Sequence, residues 1–149
     1  MQLGDQMPSF SLKTDEGNEF NSESLNGKPS VVYFYPKNET KGCTSQACSF
    51  RDNFEEFTDA GVSVIGISSD SVKSHASFKK NHRLPFTLLA DTQKVVRKKF
   101  GVKGNVLGLI PGRETFVFGA NGKLVHKFES QINFNQHVNE ALKALKDLD

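Results

Sequence analysis

The alternation of buried-strand runs with helical segments is the feature that most restricts the fold of this chain. Residues 31–35, 62–67 and 86–90 are short, nearly continuous apolar runs, as is typical of strands buried on both faces. Segments with helical spacing separate these runs. Strands and helices that alternate in this way predict an α/β sheet covered by helices on both faces, joined by right-handed crossovers.

The helical segments are recognised by their spacing and by their ends. Phenylalanines recur at i, i+4 and i+7 between residues 50 and 57, with charged residues on the opposite side. A second helix is predicted over residues 71–82, with Ser69 or Asp70 as its N-cap. Asp91 is predicted to cap a short third helix. Apolar residues at helical spacing near the C-terminus predict a fourth helix.

The two ends of the chain add antiparallel elements to this core. Residues 9–13 alternate as a strand does, and a turn follows them. Residues 115–118 and 123–128 flank Asn121-Gly122, which is a strong hairpin signal. The whole order predicts a thioredoxin-like α/β fold, with a central mixed sheet flanked by helices and an N-terminal β extension.

Length and charge limit the classes of partner. The 149 residues predict a single domain over residues 1–149 with a core of its own, and the thirteen Phe with no Trp predict that Phe fills it. The net charge is only +2, so neither charge nor composition calls for nucleic acid. We interpret the basic stretches at residues 79–80 and 97–99 as solvated helix faces.

The compartment is limited by the two cysteines and by the apolar runs. No run approaches the roughly 20 residues of a membrane span, and no secretory leader is apparent, so we expect no membrane partner. Two cysteines do not make a disulfide framework, which favours a reducing compartment. We expect a cytoplasmic location, or a plastid if a transit peptide has been removed.

Cys43 is the candidate nucleophile. It falls at the predicted start of a helix, where free backbone N–H groups and the helix dipole favour a negative charge. The thiolate is the reactive form of cysteine, so this position favours reactivity over a purely structural role. Thr40 can turn its hydroxyl toward the sulfur or a bound oxygen, and Gly42 allows a close approach of the backbone.

Cys48 lies five residues further along the same predicted helix. Residues at i and i+5 are about 140° apart around a helix axis, with Cα atoms roughly 8–9 Å apart. A disulfide needs Cα atoms within about 7 Å, so Cys43 and Cys48 can bond only if the first turns of the helix unwind. The alternative is that Cys48 is an ordinary core residue, and spacing alone does not decide between the two.

Metal and thioredoxin-type chemistry fit the sequence less well. A structural zinc site needs about four ligands, and the C-x₄-C spacing supplies two. The histidines at positions 75, 82, 126 and 137 show no paired metal spacing, and we interpret His75 and His82 as surface residues of a helix. The C-x-x-C motif of thiol–disulfide reductases is absent.

Arg113 is a second candidate for the site. It follows the stretch at residues 109–112 and precedes the predicted strand at residues 115–118, so it could face the same end of the sheet as Cys43. A guanidinium there would stabilise the thiolate and bind peroxide oxygens. Position alone is weak evidence for this role of Arg113, because most arginines at the start of a strand lie on the surface.

These motifs resemble those of a peroxiredoxin, specifically of the peroxiredoxin Q or bacterioferritin-comigratory-protein type. The peroxiredoxin pattern P-x-x-x-T/S-x-x-C is met by Pro36, Thr40 and Cys43, and the subfamily's second cysteine by Cys48. The resemblance continues through residues 50–52, 64–68, 84–89 and 111–116, and covers nearly the whole chain. Two departures are Lys41 in place of a common Pro and Gln46 in place of a common Glu.

The resemblance implies a role for each matching residue. Cys43 would be the peroxidatic cysteine and Cys48 the resolving one, joined by an intramolecular disulfide in the oxidised form. Thr40 and Arg113 would activate the thiolate and polarise the peroxide, while Pro36 and Gly42 would shape the pocket.

The resemblance also implies the reaction and its partners. The substrates would be hydrogen peroxide and organic hydroperoxides, the reductant thioredoxin or a similar thiol protein, and the enzyme a monomer without metal or organic cofactor. Two alternatives remain open at this point. One is a thiol–disulfide oxidoreductase, and the other is a non-enzymatic redox sensor that oxidises without turnover.

Overall fold

The structure is a computed structural model in which residues 1–103 and 112–148 are described. Its strands and helices alternate as the sequence predicts. In chain order they are β1 (Ser11–Thr14), β2 (Glu19–Asn21), β3 (Ser30–Phe34), α1 (Lys41–Asp52), α2 (Phe54–Asp59), β4 (Ser63–Ser68), α3 (Val72–His82), β5 (Thr87–Ala90), α4 (Val95–Lys99), β6 (Glu114–Phe118), β7 (Leu124–Glu129) and α5 (Phe134–Lys146). A short 3-10 helix over Ser22–Leu25 joins β2 to β3.

The strands form one mixed sheet of seven in the order β2-β1-β5-β4-β3-β6-β7. The three central strands, β5, β4 and β3, run parallel to one another. Strand β6 pairs antiparallel with β3, and β7 pairs antiparallel with β6. The hairpin β1–β2 adds antiparallel to β5, which confirms the predicted N-terminal β extension.

Helices cover both faces of the sheet. Because side chains alternate along a strand, Val31 and Tyr33 lie on one face and Val32 and Phe34 on the other. The first face packs against α1, α2, α3 and α5, and the second against α4 and the N-terminal segment. Phenylalanine fills both layers, as composition predicts, and its buried members are Phe10, Phe34, Phe50, Phe57, Phe78, Phe86, Phe100, Phe116 and Phe118.

The strand register brings two distant segments to one edge of the sheet. Phe34, the last residue of β3, lies opposite Glu114, the first residue of β6. Arg113 therefore enters β6 at the same edge at which the chain leaves β3 toward α1. A separation of 70 residues between Cys43 and Arg113 is closed in this way.

The first predicted helix is two helices in the structure. The helix is interrupted at Asn53. The side-chain amide of Asn53 donates to the Ser49 carbonyl at 2.8 Å and so occupies an acceptor at the end of α1. Phe50 and Phe57 remain buried on either side of the break, so the periodicity was a correct indicator of the buried face. The sequence contains no Gly or Pro at this position to mark the end of α1.

The two predicted N-caps of α3, Ser69 and Asp70, lie two residues and one residue too early. Ser71 is the N-cap, and its hydroxyl accepts from Ser74 N at 3.1 Å. Asp70 instead accepts the backbone N–H of Asn38 at 2.9 Å and the Ser68 hydroxyl at 2.6 Å. Asp91 does bind the start of α4, because its carboxylate accepts from Val96 N and Arg97 N at 3.1 and 2.9 Å.

Two surface assignments made from the sequence are wrong. His75 is fully buried on the inner side of α3, one turn before Phe78, where hydrogen bonds compensate for its lost hydration. Arg97 is also buried, and one of its terminal nitrogens donates to the Gly112 carbonyl at 3.2 Å. Periodicity does not reveal such residues, because a polar side chain can face inward wherever it finds a partner.

The N-terminal segment binds the start of the outermost strand β7. Gly4 N donates to the Leu124 carbonyl at 2.8 Å, and Leu124 N donates to the Asp5 carbonyl at 2.9 Å. The Lys127 ammonium of β7 donates to the Met1 carbonyl at 2.6 Å. The first residues are thus hydrogen-bonded to this edge of the sheet.

Most of the loop predicted over residues 102–112, including the stretch Leu109-Ile110-Pro111, lies outside the described residues. Within the described ranges, the helices are too short or too polar for any of them to cross a membrane.

Candidate active site

Cys43 occupies the third residue of α1 and is only 1% exposed. The helix begins after Thr40, and the first turn contains no acidic residue that would oppose a negative charge. The first N–H groups of a helix have no partner within the helix, so they present partial positive charge near the sulfur. The position predicted from the sequence is therefore a helix N-terminus in the structure.

Arg113 lies directly against this sulfur. Its Nη2 is 3.3 Å from Cys43 Sγ, its Nη1 donates to Gln46 Oε1 at 2.5 Å, and its Nε donates to the Gln131 carbonyl at 3.3 Å. The guanidinium carbon lies 4.8 Å from the centre of the Phe134 ring, within cation–π distance. Three acceptors and one aromatic ring thus hold the guanidinium in place.

Gly42 makes this approach possible. A Cβ at position 42 would lie 2.6 Å from two ring atoms of Phe134 and 3.2 Å from Arg113 Nη2. The start of α1 therefore packs so closely on α5 that only a hydrogen fits at this position. Gly42 thus allows the close approach of the backbone that the sequence predicts, and the tight packing of α1 on α5 is the reason that a glycine is needed.

Gln46 is a residue of the site to which sequence reasoning gave no role. It is fully buried one helical turn after Cys43 and accepts from Arg113. Its Nε2 has no hydrogen-bond partner among the described residues. Leaving a buried donor unpaired costs about 1–3 kcal/mol. The signal that could have identified Gln46 was its i+3 spacing from Cys43.

Thr40 and Pro36 belong to the loop between β3 and α1. The Thr40 hydroxyl donates to the Lys37 carbonyl at 2.9 Å, so its proton is directed into the loop and its lone pairs remain available. No hydrogen bond joins Thr40 to Cys43, although both residues are described. Pro36 is half-buried where the chain leaves β3.

Cys48 is half-buried on the same continuous helix, and both cysteines are free thiols in the structure. A helix intact from Lys41 to Asp52 keeps residues at i and i+5 about 140° apart around the axis. An intact α1 therefore precludes a direct bond between the two sulfurs.

The pKa values of two tyrosines on the same face of the sheet are influenced by Cys43. Burial raises the pKa of Tyr33 well above its usual range, and the charge of Cys43 adds to this effect. Burial likewise raises the pKa of Tyr35, with smaller contributions that include Tyr33 and Cys43. The Tyr33 hydroxyl is buried without a hydrogen-bond partner among the described residues. Both rings therefore remain neutral and add no competing charge.

A buried polar network fixes the loop that precedes Cys43. The Tyr35 hydroxyl donates to Asn38 Oδ1 at 2.6 Å, and Asn38 Nδ2 lies 3.0 Å from His75 Nδ1 and 3.1 Å from Ser74 Oγ. Because Asn38 Nδ2 is a donor, His75 Nδ1 accepts and the imidazole is neutral. Burial lowers the pKa of His75, which is consistent with the neutral form.

A second set of contacts ties both ends of α1 to the end of α3. In the loop before α1, Glu39 binds His82 Nε2 at 2.7 Å and the Asn81 amide at 2.8 Å. These hydrogen bonds lower the pKa of Glu39. Near the end of α1, Arg51 donates to the His82 carbonyl at 2.7 Å. Glu39 holds a left-handed backbone with φ of 62°, which is unfavourable outside glycine.

Metal binding finds no support in the part of the chain that the structure describes. There, no group of three His, Cys, Asp or Glu side chains is placed to hold a metal ion. His137 instead donates to the Ser130 carbonyl through Nε2 and accepts from the Thr115 hydroxyl at Nδ1, each at 2.8 Å. Burial lowers the pKa of His137 to about 4.

Comparison with known proteins identifies the family of the chain. The family model described as "AhpC/TSA family" matches residues 3–127. A chloroplastic peroxiredoxin Q of Sedum lineare is 48% identical over 145 residues, which are 97% of this chain and 78% of the relative. The chloroplastic peroxiredoxin Q of Arabidopsis thaliana is 46% identical over 143 residues, which are 96% of this chain and 66% of the relative.

Solved structures give the same result for the fold. The peroxidoxin BcpB of Mycobacterium tuberculosis superposes with a TM-score of 0.92 at 35% identity, covering 100% of this chain and 99% of that one. The bacterioferritin comigratory protein of Xanthomonas campestris, which was described in terms of its alkyl peroxide reduction activity, superposes with a TM-score of 0.86 at 30% identity, covering 93% and 91%.

A thioredoxin-like fold that holds a buried cysteine against an arginine at a helix start defines the class, that of thiol-dependent peroxidases. The chain belongs to the AhpC/TSA family. The resemblance to the peroxiredoxin Q type drawn from the motifs is confirmed, and so is the thioredoxin-like fold. The protein is accordingly an oxidoreductase.

Proposed function

We propose that Cys43 is the peroxidatic cysteine of this peroxidase and that Arg113, Thr40, Pro36 and Gly42 form the site around it. One observation carries the proposal. The buried Cys43 sulfur lies at a helix N-terminus, 3.3 Å from a guanidinium that forms no ion pair with a carboxylate among the described residues. A buried cation without a carboxylate partner is costly, and a thiolate is the anion that would compensate it.

The chemical step follows from this arrangement. The Cys43 thiolate attacks the terminal oxygen of the peroxide, an S–O bond forms, and the O–O bond breaks. Cys43 becomes a sulfenic acid, and the expelled oxygen takes up a proton and leaves as water or alcohol. Charge develops on the expelled oxygen, and the free N–H groups of Arg113 and of the helix start would stabilise it.

The substrate class includes hydrogen peroxide and organic hydroperoxides. Phe134 and Gly42 give one side of the site an apolar character, which suits an alkyl group. The alkyl peroxide reduction activity described for the related Xanthomonas campestris protein supports the same class.

The second half of the cycle uses Cys48 as the resolving cysteine. Because Cys43 and Cys48 lie on one intact helix, the start of α1 must unwind before the Cys48 thiol can attack the sulfenic acid. That attack forms an intramolecular disulfide and releases water. Thioredoxin or a similar dithiol protein then reduces the disulfide by exchange. Neither a metal nor an organic cofactor enters any of these steps.

Intact mass and free-thiol counts after one equivalent of hydrogen peroxide test this cycle. In the wild type we expect rapid loss of both thiols and the mass of a disulfide. In Cys48→Ser we expect a trapped sulfenic acid. Survival of both thiols in the wild type would refute the role of Cys43. A wild type that also stops at a sulfenic acid would show that Cys48 is a core residue.

Family membership favours this peroxidase cycle over the two alternatives, a thiol–disulfide oxidoreductase and a redox sensor without turnover. Turnover separates the three directly. A peroxidase consumes peroxide continuously with a thioredoxin system, whereas a sensor stops after one equivalent and an oxidoreductase gains little from peroxide.

We further propose a monomer in a single domain over residues 1–149. An intramolecular disulfide needs no second subunit, and light scattering together with a single cooperative unfolding transition tests both statements. The chloroplastic relatives support a plastid location over a cytoplasmic one. Imaging of a tagged gene product in its own cell decides between the two compartments.

A further inference from the structure

Glu39 attaches the loop before α1 to the end of α3. Its carboxylate lies 2.7 Å from His82 Nε2 and accepts from Asn81 Nδ2 at 2.8 Å. We call these two contacts the Glu39 anchor. Among the described residues, no side-chain hydrogen bond or ion pair joins residues 40–42 to α3. Glu39 is therefore the last attachment to α3 before the chain reaches Cys43.

The end of α3 that binds this carboxylate is itself held in place. The His82 ring packs edge-on against the buried Phe78, with ring centres 5.0 Å apart, and the His82 carbonyl accepts from Arg51 Nη1 at 2.7 Å. Just beyond the helix, the N–H of the buried Leu84 donates to the Lys79 carbonyl at 3.0 Å. The anchor thus joins the loop to a part of the fold that is fixed by packing.

The backbone of Glu39 has an unfavourable conformation that needs such support. Its φ of 62° lies in the left-handed region, which residues other than glycine seldom adopt. A conformation of this kind persists only where surrounding contacts maintain it, and the anchor supplies two of them. Without the anchor, residue 39 could relax and change the direction in which the chain enters α1 at Thr40.

We propose that Glu39 and His82 are positioning residues that keep the start of α1 folded and so limit how fast Cys48 reaches the oxidised Cys43. The inference rests on the proposed function of the two cysteines and deepens it. While residue 39 is fixed, residues 40–42 are the only free segment between the anchor and Cys43, which restricts the conformations of an unwound helix start. Breaking the anchor lengthens that segment and raises the fraction of molecules in which the start of α1 is open.

Quenched-flow mass spectrometry after addition of hydrogen peroxide separates the oxidation of Cys43 from the formation of the disulfide. Excess peroxide makes the second step limiting. Because one or two partly exposed hydrogen bonds are lost, the disulfide should form about fivefold faster in Glu39→Ala and about threefold faster in His82→Phe. The double variant should be no faster than Glu39→Ala, since both changes break one anchor. The oxidation rate should change far less, because neither side chain is hydrogen-bonded to Cys43.

Arg51→Met is the matched control. It removes a hydrogen bond between the same two helices, but near the end of α1 that stays folded in the proposed cycle. We expect a lower melting temperature and a disulfide rate equal to the wild type. A purely structural role for Glu39 would give the same result as Arg51→Met, a loss of stability without a faster disulfide. The side chains of Glu39 and His82 are 48% and 24% exposed, so we expect their variants to fold.

Amide hydrogen exchange of the reduced protein measures the opening without peroxide. Exchange at residues 44–47 should be about fivefold faster in Glu39→Ala than in the wild type, and exchange at residues 49–52 should be unchanged. A wild type that forms the disulfide at a rate that Glu39→Ala and His82→Phe leave unaltered overturns the inference alone. A wild type that forms no disulfide refutes the role of Cys48 and the inference with it, so the two failures are distinguishable.

Discussion

Replacement of Gly42 by alanine tests how closely the geometry of the site depends on packing between α1 and α5. The added Cβ would lie 2.6 Å from the Phe134 ring and 3.2 Å from Arg113 Nη2. Carbon atoms in good contact are about 3.5–4.0 Å apart, so the ring and the helix start must separate by about 1 Å. Phe134 supports the guanidinium that lies 3.3 Å from Cys43, so the separation is transmitted to the reacting groups.

The magnitude follows from two opposing effects on stability and one on rate. Overpacking of this size costs about 1–3 kcal/mol, and the better helix propensity of alanine returns up to about 1 kcal/mol. We expect the melting temperature to fall by about 2–8 °C. A displacement of about 1 Å at a reacting centre costs about a hundredfold in rate, so the rate should fall far more than the stability.

The assay is stopped-flow oxidation of the reduced protein by hydrogen peroxide, with calorimetry on the same samples. Ser45→Ala, an exposed change in the same helix, is the control and should alter neither quantity appreciably. A Gly42→Ala protein that reacts at the wild-type rate would refute the argument, because the close approach of Phe134 would then have no bearing on Arg113.

Three further changes probe other parts of the site. Arg113→Lys keeps the charge but loses the fork and the ring contact, so the rate of Cys43 oxidation should fall at least about tenfold, and a rate equal to the wild type would contradict this. Asn38→Ala leaves several buried polar groups unpaired and should lower the free energy of unfolding in urea by about 2–4 kcal/mol. His137 has a lowered pKa of about 4, so the unfolded chain binds more protons between pH 4 and 6.5 and stability is lost as pH falls through that window. Burial raises the pKa of Glu114 to about 7, which gives the opposite slope between pH 4.5 and 7. In urea titrations between pH 4.5 and 6.5, His137→Asn should therefore make the free energy of unfolding rise less with pH than in the wild type, and Glu114→Gln should make it rise more.

Much of the fold could be predicted because the sequence patterns and the packing agree. The apolar runs at residues 31–35, 62–67 and 86–90 overlap β3, β4 and β5, and Asn121-Gly122 lies in the turn between β6 and β7. The break at Asn53 could not be predicted, since a side-chain amide satisfies the helix end there without any change in the Phe periodicity.

The candidate site divides in a similar way between local and distant information. The placement of Cys43 at a helix start is local and could be read from the loop that precedes it. The 3.3 Å contact with Arg113 depends on the β3–β6 register, which pairs segments that are far apart in sequence. His75 was assigned to the surface and Gln46 was given no role. Both residues are buried because of partners that are distant in sequence, and a single sequence does not show whether a polar side chain faces the core or the solvent.

The way in which the sheet ends has a consequence for behaviour under oxidative stress. An exposed strand edge is a template on which another chain can add a strand and begin aggregation. One edge strand here is β2, which has only three residues. The other is β7, whose start is hydrogen-bonded to residues 4–7 and whose remainder carries the charged side chains of Lys127 and Glu129. In the proposed cycle, in which oxidation unwinds the start of α1, the newly exposed surface would belong to a helix and to a loop. Copies that meet in this open state would find little unpaired strand edge to extend, so we expect the proposed cycle to proceed without polymerisation.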